Sequence, residues 1–445
     1  MTSTWRGRLL PASAAALALA VAGSAGESGR AQTLAQFAGT LDEHPAIQYE
    51  TRPTTDVVSR LNAALASGRQ TLERDARTGY LLPVLGALNV PAESQLLVFS
   101  KTGLQREHTG PRNPRALYFN ESVVVGYIPG APDLELAAHD PQQGVVFYTL
   151  EQGTGAAPRF TRRTHCLTCH VSAVTMEVPG FIVRSNMVGA DGNAMPALGS
   201  HAVNHQTPHT QRWGGWFVTG HASMPPYGPL GHLGNTTVTP HPTSGPAIFS
   251  NHVLIEWLNR PAETDKYLAS DSDLAALMTF DHQMHALNLL TRLNWEARVA
   301  AASGRMFATD TELAARVGEL VDYLLFVNEA PLAFEVEPRP GFAEALAARA
   351  PKDRRGRSLA HLDLTTRLLK YPLSYLVYSE AFDGLPPAVK ESTYRRIFDI
   401  LSGKDRDSKY AHLSPDDRTA IAGILRDTRK DLPRDLRSPS PTAAR

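Results

Sequence analysis

The sequence predicts an α+β fold with a small mixed N-terminal sheet region, a loop-rich middle segment and a mainly α-helical C-terminal part. Three observations carry that expectation. Short β-branched and aromatic runs recur between residues 95 and 150, separated by turn residues such as Asn120 and Pro129-Gly130. Between Ser223 and Pro246, ten of 24 residues are Gly or Pro, which excludes a regular helix or a central strand there. From about Val253 onward, apolar residues recur at helical spacing.

The chain holds 445 residues, with 44 basic side chains against 44 acidic. That balance argues against nucleic acid or an anionic membrane as the main partner, since both favour a basic excess. Residues 1–25 read as a signal peptide: Arg6 and Arg8 precede an apolar run over 9–22, and the small residues Gly23, Ser24 and Ala25 follow. The run is shorter than the roughly 20 residues that span a bilayer. The mature chain is therefore expected in the periplasm or secreted, and not membrane-embedded. Residues 26–40 read as a linker.

A mixed α/β region is expected over 41–155. Val57, Val58, Leu61 and Leu65 predict a helix over about 56–72. Strands are expected over 95–100, 116–119, 123–128 and 144–150. Periodicity then nearly disappears across 156–251. The aromatics of that segment (Phe181, Trp213, Trp216, Phe217, Tyr227) argue against simple disorder, and a bulky cofactor would organise it.

The region 252–433 reads as helical. Ser270-Asp271-Ser272-Asp273 and Thr309-Asp310-Thr311-Glu312 match the capping box of a helix start. Pro387 opens a helix that closes before Gly403, with Tyr394, Ile397, Phe398 and Leu401 on one face. Ser414-Pro415 starts another, with proline at the first helical position. Residues 434–445 form a polar tail.

Both cysteines fall in one pentapeptide, Cys166-Leu167-Thr168-Cys169-His170. Two thiols at this spacing can each add to a vinyl group of one porphyrin, and the following histidine is then placed under the iron. Two other uses of Cys-x-x-Cys compete. A dithiol redox pair normally sits at a helix start after a strand. A structural zinc site usually takes four ligands, and a second cysteine pair is missing. Export and haem attachment support each other, because bacterial c-type haem is attached outside the cytoplasm.

The pentapeptide resembles that of the c-type cytochromes. More widely, the chain is similar to secreted bacterial cytochrome c domain-containing proteins. That similarity rests on Pro114-Arg115-Ala116-Leu117-Tyr118-Phe119, Phe147-Tyr148-Thr149-Leu150, Arg212-Trp213-Gly214-Gly215-Trp216 and Tyr375-Leu376-Val377-Tyr378-Ser379. It implies one covalent haem c held by Cys166, Cys169 and His170, and it brings no activity with it. The layout departs from small cytochromes c, whose motif lies near the start of a compact helical domain.

The sixth iron ligand decides the chemistry: histidine or methionine gives an electron carrier, an open position allows peroxide or oxygen chemistry. Residues 201–252 hold seven of the 16 histidines. His232, flanked by Gly231 and Gly234, is the expected distal ligand, because glycines let backbone approach a flat ring. His205, Met224 and His282 are the alternatives. Asp281, His282, His285, Asn288 and Arg292 form a polar seam at three- and four-residue spacing. His282 and Arg292 are the candidate catalytic pair of a peroxidase-like site. Arg162, Arg163 and Arg212 are candidates to pair with haem carboxylates.

The expectation is an extracytoplasmic single-haem c-type cytochrome acting in one-electron transfer with an unidentified redox partner. The alternatives are a haem c oxidoreductase with an open distal site, and a haem-based sensor or docking protein.

Overall fold

The computed structural model describes residues 42–218 except 154, 156 and 190, then 221–222, and 265–438 except 333, 334 and 339. The expected signal peptide, the linker and the candidates His232 and Met224 lie outside the described residues.

Helix α1 (Val57–Ala66) starts where Asp56 accepts from the amides of Val58 and Ser59. It stops short of the expected boundary because Gly68 turns the chain at φ +70°. Helix α2 (Leu81–Ala87) follows. Six strands then form a wholly antiparallel meander: β1 (Leu96–Val98), β2 (Arg115–Phe119), β3 (Val123–Tyr127), β4 (Asp133–Asp140), β5 (Gly144–Glu151) and β6 (Thr161–Arg162).

Register assigns the two faces of this sheet. One carries the rows Leu117–Gly126–Glu135–Thr149 and Phe119–Val124–Ala137–Phe147, with Val98 opposite Arg115 at the edge. The other carries Tyr118, Val125, Leu136 and Tyr148, and packs under α1 and α2 through Val58, Leu61, Leu81 and Val84. Both faces are covered, so β2, β3 and β5 show no alternation between buried and exposed positions.

The long β4 was not among the expected strands. Asp, Glu and Ala are depleted in strands, and they mask the signal that Leu134, Leu136 and Ala138 carry at every second position. Beyond the sheet, a one-turn helix α3 (Leu167–His170) holds most of the pentapeptide, and β7 (Arg184–Asn186) pairs with β8 (Ser200–Ala202). The short strand β9 (His221–Ala222) pairs later with β10.

Helix α4 (Leu274–Ala302) crosses the first sheet face. Phe280 meets Phe119 with ring centroids 5.0 Å apart. The helix is buried almost all round, as an interior helix must be. Its N-cap is Asp273, at the end of the predicted capping box rather than at its first residue. The next helix, α5 (Thr311–Leu324), is capped by Asp310, one residue past the expected position.

After β10 (Val336–Glu337), the chain forms α6 (Phe342–Ala347), α7 (Glu380–Asp383), α8 (Pro387–Leu401) and α9 (Pro415–Thr428). Ser414 closes a capping box with Asp417, as expected. The start of the expected tail is docked: Arg434–Leu436 forms a turn tied by Arg395 to Asp435 and by Arg426 to the Leu436 carbonyl. No helix among the described residues is long and apolar enough to cross a membrane.

Candidate functional site

Cys166, Cys169 and His170 border one cavity of about 770 Å³. That is within the roughly 300–1,000 Å³ typical of cofactor sites. Its floor is the first sheet face: Val98, Leu117, Val124, Gly126, Ala137 and Phe147 line it, and Phe280 of α4 and Trp216 close it. Gly126 leaves the middle of the floor bare, between Leu117 and Glu135 on the neighbouring strands.

His170 is held from two directions. Its Nδ1 lies 2.9 Å from the Gly180 carbonyl, and its ring rests against Phe147 at 4.5 Å between centroids. Bonding to a carbonyl makes Nδ1 the protonated nitrogen, so Nε2 keeps its lone pair. Burial pushes this imidazole below its ordinary value, against the opposing pull of the Gly180 carbonyl. A neutral imidazole with its second nitrogen tied to backbone is what metal ligation requires.

Helix α4 fixes that carbonyl. Asn288 accepts from the Phe181 amide and donates to the Phe181 carbonyl, each at 2.8 Å. The chain is thereby clamped next to Gly180. A Cβ on Gly180 would meet Asn288 Oδ1 at 2.6 Å, so only glycine lets the two approach. The polar seam read from the sequence is therefore not a solvated face, and Asn288 positions the motif histidine from inside the core.

The cavity is cationic. Among the described residues, Lys101, Arg106, Arg115 and Arg184 line it against the one carboxylate of Glu135, in a chain whose formal charge is zero. Arg115 Nη1 donates to Glu135 Oε2 at 3.2 Å, and Glu135 Oε1 also accepts from the Gln105 amide and side chain. Arg115 Nε is buried without a partner. The arginines expected to meet haem carboxylates are engaged elsewhere. Arg162 donates to the Tyr49 carbonyl, Arg163 to Thr149 Oγ1, and Arg212 to the carbonyls of His205 and Thr207.

The other candidates converge on a different place. His205 and His282 are fully buried, with Nδ1 atoms 2.7 Å apart, and His282 Nε2 meets Ser374 Oγ at 2.7 Å. Both nitrogens of His282 are thus committed to internal partners, and neither histidine lines the cavity. Burial pushes His282 down to about 3. Beside them, Arg212 lies 3.5 Å from Asp281, which also accepts from the Trp213 indole at 2.9 Å. Arg292, expected to assist His282, pairs instead with Glu319 at 2.5 Å and lines no part of the cavity. The structure does not bring the pair His282 and Arg292 together.

Sequence reasoning did not single out Lys101, Arg106, Arg115 or Arg184 as site residues. Arg115 was visible within Pro114-Arg115-Ala116-Leu117-Tyr118-Phe119, but only sheet register shows that it shares a face with Glu135.

The cavity fits a flat macrocycle on four counts: an apolar floor, two thiols at the edge, one free imidazole nitrogen, and cations for the carboxylates. Among the described residues, no group of three or more His, Cys, Asp or Glu side chains could hold a metal ion by itself. A porphyrin supplies four nitrogens of its own, so it needs no such cluster from the protein. No family model matches the chain, and neither does any curated protein or solved structure.

Proposed function

We propose that this chain is an extracytoplasmic c-type cytochrome that holds one covalent haem and acts in one-electron transfer. Cys166 and Cys169 would form the thioether links, and His170 would be the proximal ligand. The observation that carries the reading is His170 at the cavity wall, with Nδ1 committed to the Gly180 carbonyl and Nε2 free. The bound haem would supply a reversible ferric–ferrous couple. The chain's own part is to orient His170 through Asn288, to exclude water with the sheet face and Phe280, and to offset carboxylate charge with the lining cations.

A second reading, a haem c oxidoreductase with an open distal position, is favoured by one observation. The Arg115–Glu135 pair lines the cavity. In that reading Arg115 and Glu135 take the roles that the sequence offered to Arg292 and His282.

Carbon monoxide separates the two. For electron transfer with both axial positions filled, the visible spectrum of the ferrous protein stays unchanged under carbon monoxide. A shifted spectrum overturns that reading in favour of the oxidoreductase.

A further inference from the structure

Asp281 follows Phe280 on α4, and Phe280 closes the cavity. The Asp281 carboxyl is fully buried and does not itself line the cavity. Its Oδ2 accepts from the Trp213 indole at 2.9 Å, and a tight turn joins Trp213 to Trp216, which also closes the cavity. Its Oδ1 is buried without a partner among the described residues. An ionised carboxylate with one oxygen unserved is poorly compensated for leaving water.

Arg212 Nη1 lies 3.5 Å from Asp281, at the limit of a hydrogen bond, while Nε and Nη2 donate to the carbonyls of Thr207 and His205 at 2.7 Å. The guanidinium therefore keeps acceptors when Asp281 is neutral. Around the pair stand His205 and His209 on the segment of Arg212, His282 and His285 on α4, Tyr323 on α5, and Glu329 beyond it. Burial keeps the four histidines neutral and Tyr323 protonated. Burial also pushes Asp281 up to about 7 against the pull of Arg212, and Glu329 up to about 7 against the Leu368 amide.

A unit charge on the order of 10 Å away, at an effective dielectric of about 20, shifts a proton equilibrium roughly tenfold. Consecutive Cα atoms are about 3.8 Å apart, so a group bound against Phe280 falls within that reach of Asp281.

We propose that Asp281 is a redox-linked proton site: it takes up one proton from solvent when the bound haem gains an electron, and releases it when the electron leaves. The proposal rests on the haem reading above. Ferric haem, one electron from the redox partner, one proton and the Asp281 carboxylate give ferrous haem and the Asp281 carboxylic acid. Electron and proton arrive together, so reduction becomes harder as pH rises through the range in which Asp281 titrates.

The test uses the full-length, haem-loaded protein, with D281N and E329Q beside the wild type. Covalent haem is first measured after acid–acetone extraction. Its absence from the wild type removes the haem reading and this proposal with it, before any comparison of variants. The midpoint potential is then measured at equilibrium from about pH 5 to about pH 9. In the wild type, the equilibrium constant for reduction should fall about tenfold in total around neutral pH and level off on either side. D281N should be flat over the same range, and E329Q should keep the wild-type profile.

A flat wild-type profile overturns the proposal. So does a slope that D281N keeps or that E329Q abolishes, because the proton then belongs to a haem carboxylate or to Glu329. Redox-difference infrared spectra of the wild type cover the case in which D281N does not fold. Reduction at neutral pH should bring up the C=O stretch of a carboxylic acid shielded from water, at the expense of carboxylate bands. Spectra without that band overturn the proposal.

Discussion

Asn288 is the residue on which the geometry of the site turns. Its two hydrogen bonds go to Phe181, and they set the neighbouring Gly180 carbonyl that orients His170. Replacing Asn288 with Leu leaves a buried amide and a buried carbonyl without partners. At about 1–3 kcal/mol for each, denaturant unfolding should show a loss of about 3 kcal/mol. The ferric spectrum of the loaded N288L protein should also shift, because His170 is no longer held. An unchanged spectrum would mean that Gly180 is fixed by its own turn. At this scale the sequence was uneven. Cys166, Cys169 and His170 were legible because they fall within five residues of the chain, and they line one cavity. Arg115 was not legible, since its partner Glu135 is twenty residues away and meets it only through strand pairing.

The sheet explains both the cavity and the limits of pattern reading. Strands covered on both faces lose the alternation that marks a face, so β2, β3 and β5 read simply as apolar runs. Helix starts were legible to within a few residues, because an aspartate beside the predicted position did the capping at both Asp273 and Asp310. Gly126 offers a prediction for this scale. A Cβ there meets Glu135 and Leu117 at ordinary contact distances of 3.5–3.6 Å, so Gly126→Ala should fold and load haem. Gly126→Ile projects a branched side chain into the middle of the floor. Its far-ultraviolet circular dichroism should match the wild type while covalent haem per chain falls severalfold. Full haem loading in that variant would place the macrocycle away from the sheet.

Across the whole molecule, burial sets the response to acid. His139 is pushed down to about 4, His285 to about 4, His209 and His282 to about 3, and His205 well below its ordinary value. Unfolded, each takes up a proton below about pH 6.5, whereas folded it does not. Their contribution to stability is therefore present above pH 6.5 and lost as pH falls toward 4. Asp281 and Glu329, both raised to about 7, act in the opposite sense. Their unfolded carboxyls ionise from about pH 4 upward while the folded ones stay protonated, so their contribution falls as pH rises toward 7.

His139 offers the contribution of a single histidine. Its Nε2 meets Thr291 Oγ1 at 3.0 Å, a bond that glutamine can keep. Across pH 6.5 to 4, the wild type should lose on the order of 3 kcal/mol more than His139→Gln. Equal pH slopes in chemical denaturation would refute a neutral buried His139. None of this acid response was legible in the sequence, where His139 is one histidine in a strand that composition concealed.

The most direct test of the central claim is the intact mass of the purified chain after acid–acetone extraction. Allowing for removal of the predicted signal peptide, the expected mass is that of the polypeptide plus one haem, and the C166A/C169A variant should show the polypeptide alone. A wild-type mass without haem would contradict the account, and a mass two hydrogens below the reduced chain would mark a Cys166–Cys169 disulfide in its place.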